Sequence, residues 1–160
     1  MTRIGCTGHQ GLPSGTAALV DREIRVHLGR YLRSELVGLT NLADGADQLF
    51  ARAVLDLGGA LEVIVPAEHY RDGLPTETSR HGYDDLFAHA RRVDRLPFTE
   101  SSSESHMAAS EVIVDRCDLL LAVWDGKPSR GHGGTADVVS YARERAVPVE
   151  VLWPEGATRD

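Results

Sequence analysis

The chain has 160 residues, 42% apolar and 26% charged, with 24 acidic against 17 basic side chains and a net charge of −7. That length suits one domain with a single core, near the usual ~100–150 residues, and the composition excludes collagenous, disordered and disulfide-framework classes. The acidic balance argues against a nucleic-acid partner, which usually demands a basic face; Arg91, Arg92 and Arg95 make only a small cluster. Cys6 and Cys117 lie in or beside apolar runs without metal-ligand spacing, so they read as buried reduced thiols and no metal site is expected. The first residues lack the apolar core of a signal peptide, and no apolar run approaches the ~20 residues that span a bilayer. The expectation is a cytoplasmic protein with no membrane partner.

Short apolar runs alternate with longer amphipathic ones, the pattern of βαβ units and a mostly parallel sheet. Residues 3–7 predict a first strand opening into the turn Gly8-His9-Gln10-Gly11. Helical spacing of Leu19, Ile24, Leu28, Leu32 and Leu36 predicts a helix over 16–35. A strand over 37–40, a helix over 45–57 and a strand over 61–65 stopped by Pro66 follow. The stretch 71–104 is polar and weakly periodic; it predicts a loop, a helix over 82–92, a short strand over 93–96 and a loop over 100–104. A helix to Arg116 and a strand over 118–124 come next, the latter's apolar run suiting burial on both faces. A turn over 125–133, a helix over 134–145, a strand over 147–152 and a frayed tail over 155–160 complete the chain. With neither repeat nor linker visible, residues 1–160 read as one Rossmann-like α/β domain of three layers, the sheet flanked by helices.

In an open parallel sheet, ligands bind outside the carboxyl ends of the strands. Three Gly-containing turns fall there: Thr7-Gly8-His9-Gln10-Gly11, Asp44-Gly45-Ala46-Asp47, and Gly131-His132-Gly133-Gly134-Thr135. The third offers helix N–H groups, the positive end of a helix dipole and a hydroxyl, which together suit phosphate. One such turn is weak support, since any tight βα loop can use glycine; three after three strands point to one anion-binding cleft. None matches the dinucleotide GxGxxG or the Walker A pattern, which argues against a standard dehydrogenase or P-loop NTPase.

The segments IGCTGHQGL (4–12), LADGADQLFARAVLDLG (42–58), VIVPAEHY (63–70) and the stretch 112–154 containing CDLLLAVWDG resemble the SLOG superfamily, Rossmann-like nucleotide-binding domains that include the LOG and DprA proteins. The resemblance spans most of the chain outside 71–104. It implies a nucleotide or nucleotide-derived ligand, of adenine type or related to ADP-ribose or NAD, with no further cofactor required. Phosphate would lie by Thr7, Gly8, His9, Gly133, Gly134 and Thr135, and base or sugar by Asp44, Gly45, Ala46, Asp47, Trp124, Asp125 and Gly126. Pairing through helices in that superfamily implies a homodimer. One departure matters: LOG phosphoribohydrolases resemble PGGxGTxxE, whereas Val138 stands here at the glutamate position. A looser likeness, CDLLLAVWDG followed by Gly-Thr and a helix, is similar to nucleoside deoxyribosyltransferases, which set a carboxylate against the anomeric carbon.

Three readings follow, the last a DNA-handling role of the DprA kind, against which the acidic charge argues. In the first the chain is a sensor or binding module for a phosphorylated nucleotide. In the second it hydrolyses or transfers an N-glycosidic bond with a pocket carboxylate, the candidates being Asp44, Asp47, Asp125 and Asp137, with Glu104 and Glu111 behind them. Each has a plainer role: Asp44 and Asp47 as a cap and first-turn acid, Asp125 as a turn former, Asp137 as a partner of the helix dipole. His9 can donate to phosphate or satisfy its own loop, Trp124 can stack on a base or fill the core, and Arg130 can close over phosphate. The serines at 101–103 and 105 lack a nucleophile elbow.

Overall fold

The computed structural model describes residues 1–129 and 132–159; Arg130, Gly131 and Asp160, and with them the phosphate role read for Arg130, lie outside the described residues. The order of elements is β1 (Thr2–Gly8), α1 (Ser14–Leu28), β2 (Leu36–Thr40), α2 (Ala46–Asp56), β3 (Ala60–Ala67), a 3-10 turn (Arg71–Gly73), α3 (Glu77–Phe87), β4 (Arg92–Phe98), α4 (Ser103–Arg116), β5 (Leu119–Val123), α5 (Thr135–Glu144) and β6 (Val149–Leu152). All neighbouring strands pair parallel, in the order β4-β3-β2-β1-β5-β6. The fold is the Rossmann-like α/β sheet expected. Chain order reverses between β1 and β5, so the switch-point crevice opens at their carboxyl ends.

Alternation along the strands assigns the layers. Ile4 and Cys6 pack with Val20, Ile24, Phe50 and Val54 beneath α1 and α2. The opposite face of the sheet sends Val37, Leu39 and Ile64 against Ala109 and Ile113 of α4, and Leu120 against Val138 and Ala142 of α5. Gly5 and Gly38 are glycines for close packing: a Cβ would stand 2.6 Å from Ile113 in the first case and 2.8 Å from Val54 in the second. Strand β5 is buried from Leu120 to Val123, as its apolar run requires.

Several boundaries differ from the sequence reading. Helix α1 ends at Leu28, not at residue 35, because the chain turns at Gly29, a poor helix former, and leaves Leu32 68% exposed. Pro66 does not stop β3; the strand reaches Ala67, and its register against β4 shifts between Val65 and Ala67 at the residue that has no N–H to give. Helix α3 starts five residues before the expected 82, where a capping box joins Thr76 and Ser79, and β4 is longer than 93–96, its Pro97 tolerated on an edge strand. Strand β6 starts at Val149 rather than 147. Residues 155–159 are not frayed: the Thr158 N–H donates to Thr16 Oγ1 at 2.8 Å, and that hydroxyl donates back to the Thr158 carbonyl at 2.9 Å.

The turn before α2 is the tightest joint of the fold. Gly45 has φ +86° and ψ −124°, a region open to glycine only, and a Cβ there would sit 2.6 Å from the His9 carbonyl oxygen. Gly45→Ala is expected to lower stability by about 2 kcal/mol or more. Chemical denaturation checks this, and an unchanged midpoint would mean that the loops after β1 and β2 can separate without loss.

Candidate functional site

A cleft of about 200 Å³ opens at the carboxyl ends of β1, β2 and β3 and at the start of α5. Thr7, Gly8, His9 and Gln10 enter from the loop after β1, Asn41 and Ala43 from the loop after β2, and Asp47 from the first turn of α2. Gly133, Gly134 and Thr135 form the opposite lip. Of the residues read from sequence, Thr7, Gly8, His9, Asp47, Gly133, Gly134 and Thr135 are thus brought together in one cleft.

The others do different work. Gly45 and Ala46 lie beneath the β1 loop, the Ala46 N–H donating to the His9 carbonyl at 3.2 Å. Asp44 Oδ2 accepts from the Gly11 N–H at 2.9 Å, tying the first two loops together. Asp137 Oδ2 accepts from the Gly133 N–H at 2.9 Å and shapes the turn into α5. Trp124 donates from its indole N–H to the Lys127 carbonyl at 2.8 Å and lies near Arg143, away from the cleft. Gly126 belongs to the same exposed turn. Asp125 Oδ1 accepts from the Lys127 N–H at 3.0 Å; burial raises its carboxyl, but that N–H, His9 and Arg159 outweigh it and hold Asp125 below its ordinary range.

His9 is only 4% exposed and joins the two sides of the switch point. Its Nε2 faces both the Asp125 N–H at 3.0 Å and Asp125 Oδ1 at 3.2 Å. Both contacts reach the same ring nitrogen, and Nδ1 lies 3.5 Å from Thr135 Oγ1. The imidazole therefore satisfies the loops before any ligand contact. Gly134 at the N-cap of α5 brings no side chain to cap the helix, so the positive end of the dipole faces the cleft from a backbone surface.

Asp47 is the chemically distinctive group. It is 4% exposed, its Oδ2 accepts from the Ala43 N–H at 3.3 Å, and among the described residues its Oδ1 finds no hydrogen-bond partner. Burial pushes the carboxyl up to about 7, the Ala43 N–H and neighbouring polar groups offsetting only part of the effect. Asp47 is thus the one sequence candidate among the four aspartates that lines the cleft and exchanges a proton near neutrality.

Sequence reasoning missed the far wall. Tyr70, His106 and Ser110 line the cleft, with His106 Nε2 2.7 Å from Ser101 Oγ and its ring edge-on to Tyr70. Burial lowers the His106 imidazole, which keeps it neutral at pH 7, and raises the Tyr70 phenol well above its ordinary value. Capping-box spacing from Ser102 to Ser105 was the available signal for where α4 begins and so for where His106 points. Arg159 also lines the cleft, from a segment read as a tail. The basic cluster is largely neutralised: Arg91 pairs with Glu62 at 3.1 Å, Arg92 with Asp94 at 3.0 Å, and Arg95 lies over Phe87.

The Asp47 carboxyl couples this site to stability. Unfolded, it ionises near 3.8; folded, near 7. Between those values the folded chain holds a proton that the unfolded chain lacks, so stability falls as pH rises through that window, by a total on the order of 4 kcal/mol. Asp47→Asn is expected to flatten the fall between pH 5 and pH 8 and to raise Tm at pH 8. Parallel pH profiles for the two proteins would show that Asp47 is ionised and satisfied when folded.

No protein-family model matches the sequence, and no curated protein matches it. Solved structures do. DNA processing protein A (DprA) from Streptococcus pneumoniae superposes with a TM-score of 0.68 over 98% of this chain at 17% identity; the match covers 52% of that protein, so this chain spans about half its length. DNA processing protein A from Helicobacter pylori, which binds single-stranded DNA, gives 0.69 over 98% of this chain and 68% of that one at 12% identity. The molybdenum cofactor carrier protein of Chlamydomonas reinhardtii gives 0.60 over 96% of this chain and 79% of that one at 17% identity. The chain shares the fold of these proteins. Among the described residues no helix is long and apolar enough to cross a membrane.

Proposed function

We propose that the cleft holds a small phosphorylated nucleotide, and that the chain acts as a binding module or sensor for it. The observation that carries this reading is the convergence of the β1 loop, the glycine-led start of α5 and the buried, half-satisfied Asp47 on one crevice at the switch point. Phosphate suits the α5 end, where backbone donors and dipole favour an anion. Asp47 and Asn41 suit the sugar hydroxyls, a ligand hydroxyl supplying the partner that Oδ1 lacks. The cleft is smaller than the usual ~300–1,000 Å³ ligand pocket, which favours a mononucleotide with its base at the mouth over NAD or ADP-ribose. A molybdenum cofactor carrier of the same fold is consistent with a small-ligand role.

A second reading has one observation behind it. A carboxyl with a pKa of about 7 inside a ligand cleft is suited to general acid–base work, so cleavage of an N-glycosidic bond by Asp47 is the enzymatic alternative. Single-stranded DNA, the ligand of the Helicobacter relative, finds fewer favourable features: the chain is acidic, and Arg91 and Arg92 are engaged in ion pairs.

Thermal shift against nucleoside monophosphates, ADP-ribose, NAD and a single-stranded oligonucleotide, with chromatography of the same samples, separates these readings. An intact monophosphate that raises Tm supports the module; released base supports the glycosidase and should vanish in Asp47→Asn; stabilisation by the oligonucleotide alone transfers the site to DNA. The α5 cradle has its own test. Gly134 has φ −73° and ψ 175°, which aspartate adopts readily, and aspartate is a favoured N-cap. Gly134→Asp is therefore expected to keep or raise Tm while abolishing monophosphate binding, because its carboxylate takes the anion's place. Unchanged affinity would mean that phosphate does not bind at α5.

A further inference from the structure

Reading the cleft as a phosphate-ligand site leaves a charge unaccounted for. A phosphomonoester carries up to two negative charges, and the cleft already contains Asp47 and adjoins Asp125. Among the described residues lining it, Arg159 is the one lysine or arginine. Its position is built. The chain leaves β6 and sets the Trp153 ring edge-on against His9, centroids 5.5 Å apart at 86°. It then turns at Gly156, φ +89°, where the Ala157 N–H donates to the Pro154 carbonyl at 3.0 Å. The reciprocal pair of hydrogen bonds with Thr16, a hydroxyl 3% exposed in the first turn of α1, fixes Thr158 next to it. Segment 153–159 is therefore anchored on both sides of its turn, and the anchors deliver the arginine to the cleft.

We propose that Arg159 is the cation that binds the ligand's phosphate, with segment 153–159 as the strap that Thr16 and His9 hold in place for it. Arg159 Nη1 stands 3.9 Å from Asp125 Oδ2, which orients the guanidinium at the rim of the cleft. Asp125 is already engaged through its other oxygen with Lys127 and His9. A phosphate between the α5 N-terminus and the β1 loop offers the guanidinium paired acceptors in its own geometry. This assigns the ligand class more narrowly than the fold does: a terminal phosphomonoester, recognised from one side by backbone N–H groups and from the other by one arginine.

The test is calorimetry of the whole chain with AMP, adenosine and inorganic phosphate, on the wild type, Arg159→Gln, Arg159→Lys and Thr16→Val. Arg159→Gln is expected to weaken AMP binding about 10–100-fold, as for lost charge-assisted hydrogen bonds, with adenosine affinity and Tm unchanged. Arg159→Lys should recover part of the loss, and Thr16→Val should weaken AMP binding through the strap. Hydrogen exchange at the Thr158 amide should slow when AMP is added. Inorganic phosphate binding that depends on Arg159 in the same way supports the assignment with free phosphate as the anion. AMP bound equally by wild type and Arg159→Gln overturns the assignment and leaves the cleft reading standing, and an equal loss for AMP and adenosine overturns it in favour of a packing role. A wild type that binds none of the three overturns the cleft reading and the assignment together.

Discussion

The site depends on His9 being satisfied on every side at once. Its backbone N–H donates to the Val123 carbonyl at 3.1 Å, its carbonyl accepts from Ala46, and its ring lies among Asp125, Thr135 and Trp153. Through one residue the ends of β1 and β5, the start of α2, the start of α5 and the strap after β6 are held together. A buried polar ring left unpaired would cost on the order of 1–3 kcal/mol, so these neighbours are constrained jointly rather than one by one. The close approach at Gly45 follows, because α2 can donate to the His9 carbonyl only if no side chain stands between them.

Much of this was legible in the residues. Alternating apolar runs gave the βαβ order, and the turns around Gly8 and Gly134 marked where an open parallel sheet places a ligand. Asp47 was visible as a candidate, but its rank among four aspartates was not. All four accept a backbone N–H; what distinguishes Asp47 is its burial and its second oxygen, Oδ1, and that burial depends on residues such as Cys6 arriving from distant parts of the chain. Periodicity misjudged α1 because Leu32 and Leu36 keep helical spacing past Gly29, where one begins a turn and the other a strand. The anchored segment 153–159 was illegible for a related reason: its order rests on a hydroxyl 142 positions away.

The electrostatic balance gives the fold its functional direction. An acidic chain gains little from long-range attraction of nucleic acid, and its arginines near β4 are spent on Glu62, Asp94 and Phe87. What remains is local: a helix dipole, a neutral histidine, an arginine on a strap and a carboxyl poised near neutrality in about 200 Å³. Such a set suits a small anion with hydroxyls beside it, the ligand class proposed above.

A crystal structure of the chain grown with AMP tests the central claim most directly. The account predicts the phosphate between Gly134, Thr135 and the loop formed by Thr7, Gly8 and His9, with a ribose hydroxyl on Asp47 Oδ1. AMP seated elsewhere, for example in the groove between α1, α2 and α3 lined by Leu12, Leu49 and Leu86, would contradict it.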